Sequence, residues 1–142
     1  MLTGERSCDE LVQQLASKRE RNAAIRALVG GLTATELRSV RVDDATIGAL
    51  ARGLADPNPV VRWWCVQLLD HVPDQRAIDL IVPLLDDPVP RVRRVAVHAL
   101  GCAACKPSAD ICLSPETRAR IRQLAESDPN GKVRDEASRL LA

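Results

Sequence analysis

An all-α fold, a solenoid of stacked antiparallel helix pairs, is what this sequence predicts, and three observations carry the prediction. One block recurs three times without a gap: DPNPVVRWWCVQLL from Asp56, DPVPRVRRVAVHAL from Asp87 and DPNGKVRDEASRLL from Asp128. Each copy spaces its apolar residues for a helix. A further helix-period segment precedes each copy. Self-similarity of this kind marks a repeat architecture.

Within the block, Asp-Pro leads to Val-Arg, then to a small residue (Cys65, Ala96, Ala137), then to a closing Leu (Leu69, Leu100, Leu141). The Asp carboxylate can accept from backbone N–H groups near a helix start, and Pro suits the turn because it has no amide to satisfy. Val61, Cys65, Leu68 and Leu69 fall at i, i+4, i+7 and i+8, one stripe of a helix. Val92, Ala96, Ala99 and Leu100 repeat that stripe, as do Val133, Ala137, Leu140 and Leu141. Upstream lie the segments Ile47 to Leu54, Ile78 to Leu85 and Ile121 to Ala125, so the unit is helix, Asp-Pro turn, helix. A lone pair of this kind cannot bury its apolar faces, and neighbouring pairs must stack.

This frame resembles HEAT repeats, especially the short bacterial kind also seen in phycobilisome-lyase-like proteins, over residues 44–142. The resemblance implies a superhelix whose second helices line one surface, and a role in binding other macromolecules. It also implies that Asp56, Asp87 and Asp128 pair with Arg62, Arg93 and Arg134 between neighbouring units, as structural residues. A pigment-attachment role rests on analogy alone, because many unrelated tasks share the fold.

The chain reads as one domain with repeats at 44–72, 73–101 and 114–142. The last opens on Ser114 as N-cap with Pro115 in the first helical position. Residues 1–43 lack the Asp-Pro signature and are expected to form an atypical cap that closes the core against water. There Cys8-Asp9-Glu10 starts a helix with Leu11, Val12 and Leu15 on its apolar face. Asn22 to Val29 carries Ile25, Leu28 and Val29 and stops at Gly30-Gly31. These two segments fit one long helix or a degenerate pair. Thr33 and Glu36 form a capping box before a short helical turn.

At 142 residues the chain can bury a continuous core. Two Trp and no Phe or Tyr leave that core to Leu, Val, Ile and Ala. A net charge of +1 argues against a general polyanion binder. No apolar run approaches the ~20 residues that span a membrane, and the N-terminus lacks a secretory pattern, so a cytoplasmic protein is expected. Five cysteines, an odd number, suit a reducing compartment better than a disulfide framework.

The repeat spacing breaks once. Asp56 and Asp87 are 31 residues apart and Asp87 and Asp128 are 41, with the excess in the connection 102–113 that holds Cys102, Cys105 and Cys112. With His98 these make H-x3-C-x2-C-x6-C. If the helix runs past Leu100, His98, Cys102 and Cys105 share one face, and the loop after Lys106-Pro107 can return Cys112. Three thiolates and an imidazole form a closed structural zinc shell, and soft ligands favour zinc over a hard cation. Cysteine also packs as a small apolar residue, the reading preferred for Cys65. A redox dithiol at Cys102 and Cys105, which would make the chain a redox- or metal-responsive regulatory module, is the remaining alternative. Its position at the C-terminal side of a helix opposes the electrostatics that lower a thiol pKa.

Trp63, Gln67, Arg94 and Arg139 are the candidate partner-binding residues. Trp63 shares its repeat position with Arg94 and Asp135 and is expected on an exposed ridge as a contact anchor, or else packed under the N-terminal cap, while Trp64 flanks the stripe and should be half-buried. Arg91, Arg93, Arg94, Arg118, Arg120 and Arg122 cluster in sequence, but nucleic-acid binding would want more positive charge and stacking aromatics. His71 is expected at the surface. No catalytic constellation is present, so the expected function is a non-enzymatic scaffold for a protein partner, with a structural zinc.

Overall fold

The computed structural model describes residues 7–29, 43–72, 75–101 and 113–141. They form eight α-helices and one 3-10 helix, with no strand among the described residues. In order these are α1 (Cys8–Gln14), α2 (Arg21–Val29), α3 (Asp44–Gly53), α4 (Pro59–Leu69), α5 (Gln75–Ile81), the 3-10 helix Val82–Asp86, α6 (Pro90–Gly101), α7 (Pro115–Ser127) and α8 (Gly131–Leu141). The chain divides into two compact units, Met1–Val72 and Pro73–Ala142. No helix among the described residues is long and apolar enough to cross a membrane.

Capping side chains start the helices. Ser7, Asp43 and Ser114 accept from the amides of Glu10, Thr46 and Thr117, each satisfying a donor with no partner inside the helix. The Asp of the repeat acts one step earlier. Asp56 accepts from the amide of Asn58 at 2.8 Å, Asp87 from Val89 at 2.9 Å and Asp128 from Asn130 at 2.8 Å. It thus shapes the turn, and where Asn follows, as at Asn58 and Asn130, Asn caps the helix. The repeat Arg closes the same turn from the other side. Nη1 of Arg62, Arg93 and Arg134 donates to the carbonyl of Asp56, Asp87 and Asp128 at 2.9, 2.9 and 2.6 Å.

In the first unit, α1 packs on α2 and α3, and α3 packs on α4. The N-terminal segments are therefore two helices, and Arg21 shows what kind of pair they make. Its Nε donates to the Leu15 carbonyl, again six residues back, at 2.8 Å. Ser17, in the register of Asn58, accepts from the Glu20 amide at 3.3 Å, and Ala24 is fully buried, as Cys65 is. This is the repeat geometry with Leu15 and Ala16 where the motif has Asp and Pro. At the end of α3 the backbone of Gly53 lies against Cys65 Sγ, and a Cβ there would stand 2.7 Å from Val12 Cγ1. Three helices meet at that point with no room for a methyl group.

In the second unit, α6 packs on the 3-10 helix and α5, α8 packs on α7, and α6 lies against α8. Arg93 spans the two pairs. Its Nε and Nη2 donate to Asp128 Oδ2 and Oδ1 at 2.8 and 3.0 Å, with the two side chains 11% and 3% exposed. This is the neighbour pairing that the resemblance implies. Burial pushes the Asp128 carboxyl up, but the bonds from Arg93 and the Asn130 amide, with the charges of Arg93 and Arg120, outweigh it and hold the group below its ordinary value. Arg120 and Asp86 meet at 2.7 Å on the first-helix side.

Three details depart from the sequence reading. The segment Ile78 to Leu85 is α-helical only to Ile81, because Pro83 has no N–H for the ladder and the chain tightens into the 3-10 turn. His71 is buried rather than superficial. The amides of His71 and Val72 donate to the Leu68 and Leu69 carbonyls, which folds them back over the end of α4. Leu141 closes the third block but is 38% exposed, since nothing in the described residues covers it.

Breaking a buried pair strands a charge, so Asp128→Asn should destabilise the second unit by about 3 kcal/mol, read by urea denaturation. The Asp128 carboxyl is depressed in the fold, so its contribution is complete above the unfolded value near pH ~4 and is lost as pH falls through the folded one. The wild-type and Asp128→Asn stabilities should therefore converge in acid. Arg52→Ala, at the exposed Asp9–Arg52 pair, should leave the denaturation midpoint unchanged. Gly53→Ala should destabilise the first unit by roughly 1–3 kcal/mol through overpacking.

Candidate functional site

Adjoining faces of α6 and α8 gather a cluster of charged and titratable side chains around one carboxylate. Arg94 and His98 stand one turn apart on α6, and Glu136 and Arg139 stand one turn apart on α8. Glu136 is the centre: Oε1 lies 3.4 Å from Arg94 Nε and 3.7 Å from Arg139 Nη1, and Oε2 lies 3.6 Å from His98 Nδ1. Three of the residues singled out by the sequence thus converge on one carboxylate that the sequence reading missed. Its signal was the repeat register. Glu136 occupies the position of Trp64 and of buried Val95, where a carboxylate is out of place.

Two hollows open along this face. The larger, about 440 Å³, is lined by Val89, Pro90, Arg91, Arg94, Asn130 and Lys132. The smaller, about 140 Å³, is lined by Val97, His98, Gly101, Glu136, Arg139 and Leu140. At the latter end the Leu140 side chain occupies the place a Cβ on Gly101 would take.

The remaining partner-binding candidates, Trp63 and Gln67, lie on α4 of the first unit. Both are half-buried. Trp63 is not an exposed ridge residue, because its ring meets that of Trp64 edge to face with centroids 4.9 Å apart. The Arg21 guanidinium lies over the Trp64 ring at 4.9 Å. Three arginines of the second unit meet acids: Arg93 is held by Asp128, Arg94 by Glu136 and Arg120 by Asp86.

A profile of HEAT repeats matches residues 8–101 and again 45–142. The chain belongs to the HEAT-repeat family. No curated protein matches it. Among solved structures, human deoxyhypusine hydroxylase resembles it with a TM-score of 0.59 at 23% identity, over 98% of this chain and 43% of that one. An engineered protein matches with a TM-score of 0.55 at 20% identity, over 94% of this chain and 60% of that one. The chain spans 43–60% of the length of these structures, and at such identities the likeness is one of fold. The family match begins at residue 8, where the Arg21–Leu15 bond already places a helix pair of repeat type.

Of the metal ligands expected in this HEAT chain, His98 is half-exposed in the last turn of α6, while Cys102, Cys105 and Cys112 lie outside the described residues. Among the described residues no three His, Cys, Asp or Glu side chains form a group that could hold a metal. Cys65 is fully buried, and burial, with the Asp56 charge adding to it, pushes its thiol up to about 12. It is a packing residue. Alkylation by iodoacetamide at pH 8, mapped by mass spectrometry, should therefore spare Cys65 in the native protein and reach it only after unfolding.

Proposed function

We propose that this chain is a non-enzymatic HEAT-repeat scaffold that binds another protein along its second helices, and that a structural zinc held by His98, Cys102, Cys105 and Cys112 ties the connection 102–113 to α6. One observation carries the scaffold reading: Arg94, His98, Glu136 and Arg139 gather on adjoining faces of α6 and α8 without the tight geometry of a structural pair. Arg93 and Asp128, on the inner side, meet at 2.8 and 3.0 Å. The contacts of Glu136 are 3.4–3.7 Å. Stacked repeats present such second-helix faces as continuous binding surfaces.

Two features support the zinc reading. Cys102 follows His98 by four residues and begins where the described part of α6 ends, at Gly101. Glu136 lies beside His98 Nδ1, and a ligating imidazole commonly gives its second nitrogen to a carboxylate, which leaves Nε2 for the metal. Four protein ligands close the shell, so the ion would stabilise the connection rather than react. A cytoplasmic location belongs to the same proposal, since these thiols must stay reduced.

Elemental analysis of protein purified without added metal should find one zinc per chain, lost in Cys105→Ser and Cys112→Ser; reduced, folded protein without metal overturns the zinc reading. Random peptides displayed on phage and selected on the full chain test the scaffold. Selected peptides should bind at least tenfold more weakly after substitution of Trp63, Gln67, Arg94 or Arg139 by Ala. Binders indifferent to all four, or no binders at all, overturn it.

A further inference from the structure

Resting on that reading and deepening it, we propose that the groove between α6 and α8 takes an acidic peptide segment, and that Glu136 is the chain's own stand-in for the partner's carboxylate. At one end of the groove Gly101 and the Leu140 side chain touch; at the other Arg91, Arg94 and Lys132 line the larger hollow. Both helices begin at the end where the larger hollow lies, so the positive poles of two helix dipoles add to the charges of Arg94 and Lys132 there. An anion is the complementary occupant.

Glu136 shows which anion. Its carboxylate is 15% exposed and draws Arg94, Arg139 and His98 towards it, at distances longer than a good charged hydrogen bond of ~2.7–2.9 Å. Each guanidinium carries five N–H donors, and Arg94 and Arg139 are 44% and 67% exposed. The internal acid holds them in place without using them up, so an incoming carboxylate finds donors already arrayed.

The rest of the groove argues for a peptide. Gly101 and Leu140 offer apolar surface for one aliphatic side chain in the smaller hollow, beside His98, Glu136 and Arg139. From Arg91 to His98 is seven residues of helix, or about 10 Å at 1.5 Å per residue, which an extended strand crosses in ~3 residues. The fitting segment pairs an acidic residue with an aliphatic one about three positions away. A nucleic-acid strand fits worse: both aromatic residues of the chain, Trp63 and Trp64, belong to the other unit, leaving none here for bases to stack on.

Fluorescence anisotropy on the full chain tests this with a labelled peptide of Asp and Glu carrying Leu at every fourth position. Its Asn and Gln counterpart and a single-stranded oligothymidylate serve as comparisons. The acidic peptide should bind at least tenfold more tightly than the amide one, Arg94→Glu and Lys132→Glu should each weaken it tenfold or more, and Glu136→Gln should tighten it severalfold. Lys132 lies in the first turn of α8, where a carboxylate suits the helix, so loss of binding in Lys132→Glu does not report unfolding. Equal binding of the two peptides, indifference to Lys132→Glu, or tighter binding of oligothymidylate overturns the acidic-peptide groove. Glu136→Gln that fails to tighten binding overturns the stand-in role. If the acidic peptide fails while phage-selected peptides still respond to Trp63→Ala or Gln67→Ala, this inference falls and the scaffold stands; if neither binds, both fall.

Discussion

A single guanidinium does two jobs at the junction of the last two helix pairs, and the second unit depends on it. Arg93 donates from Nη1 to the carbonyl of Asp87, which fixes the turn of its own repeat, and from Nε and Nη2 to Asp128, which fixes the next one. A planar fork of donors suits this in a way that a lysine ammonium would not. The local turn and the stacking of pairs are thereby set by one residue. Asp128 answers in kind, accepting from the Asn130 amide as well as from Arg93, so the carboxylate is satisfied where it is buried.

The first unit reaches a similar result by different chemistry. Arg21 closes the turn at Leu15 as Arg62 does at Asp56, but its guanidinium then covers the Trp64 ring. Asp56 instead receives Gln13 Nε2 at 2.6 Å. The demand is constant, since a helix pair must be held to its neighbour; the groups that meet it are free to vary. Variation of this sort explains how much of the fold the sequence disclosed. The apolar stripes were legible because burial enforces them: Val61, Cys65, Leu68 and Leu69 are all buried, as are Val92, Ala96, Ala99 and Leu100. The N-terminal pair was legible only as one of two alternatives, because Leu15 and Ala16 replaced the Asp and Pro that mark the turn while keeping its geometry.

The candidate site was legible in part for a related reason. Arg94, His98 and Arg139 were visible as polar residues at positions the stripe does not claim. Glu136, which brings them together, was hidden by reading the third block only for what it shared with the others. Trp63 looked exposed by comparison with Arg94, yet a ring beside a second ring buries area that a guanidinium in the same register leaves open. His71 was misjudged because the turn after α4 is made by backbone bonds that no side-chain pattern announces.

The groove and the core are therefore separable although they share two helices. Stripe residues such as Val92, Ala96, Val133 and Ala137 are fully or almost fully buried and set how α6 and α8 seat on their partners. Gly101 lets the two helices close at one end, because any side chain there would meet Leu140. What remains open at the other end follows from that closure, and its charges can change without disturbing the stripe. A surface of this construction can be retuned for one partner or another while the solenoid beneath it stays the same. That is how one repeat fold can serve many tasks, and why the proposed partner surface is placed on Arg94, Lys132, Glu136 and Arg139 rather than on the Asp-Pro-Val-Arg frame shared by the repeats.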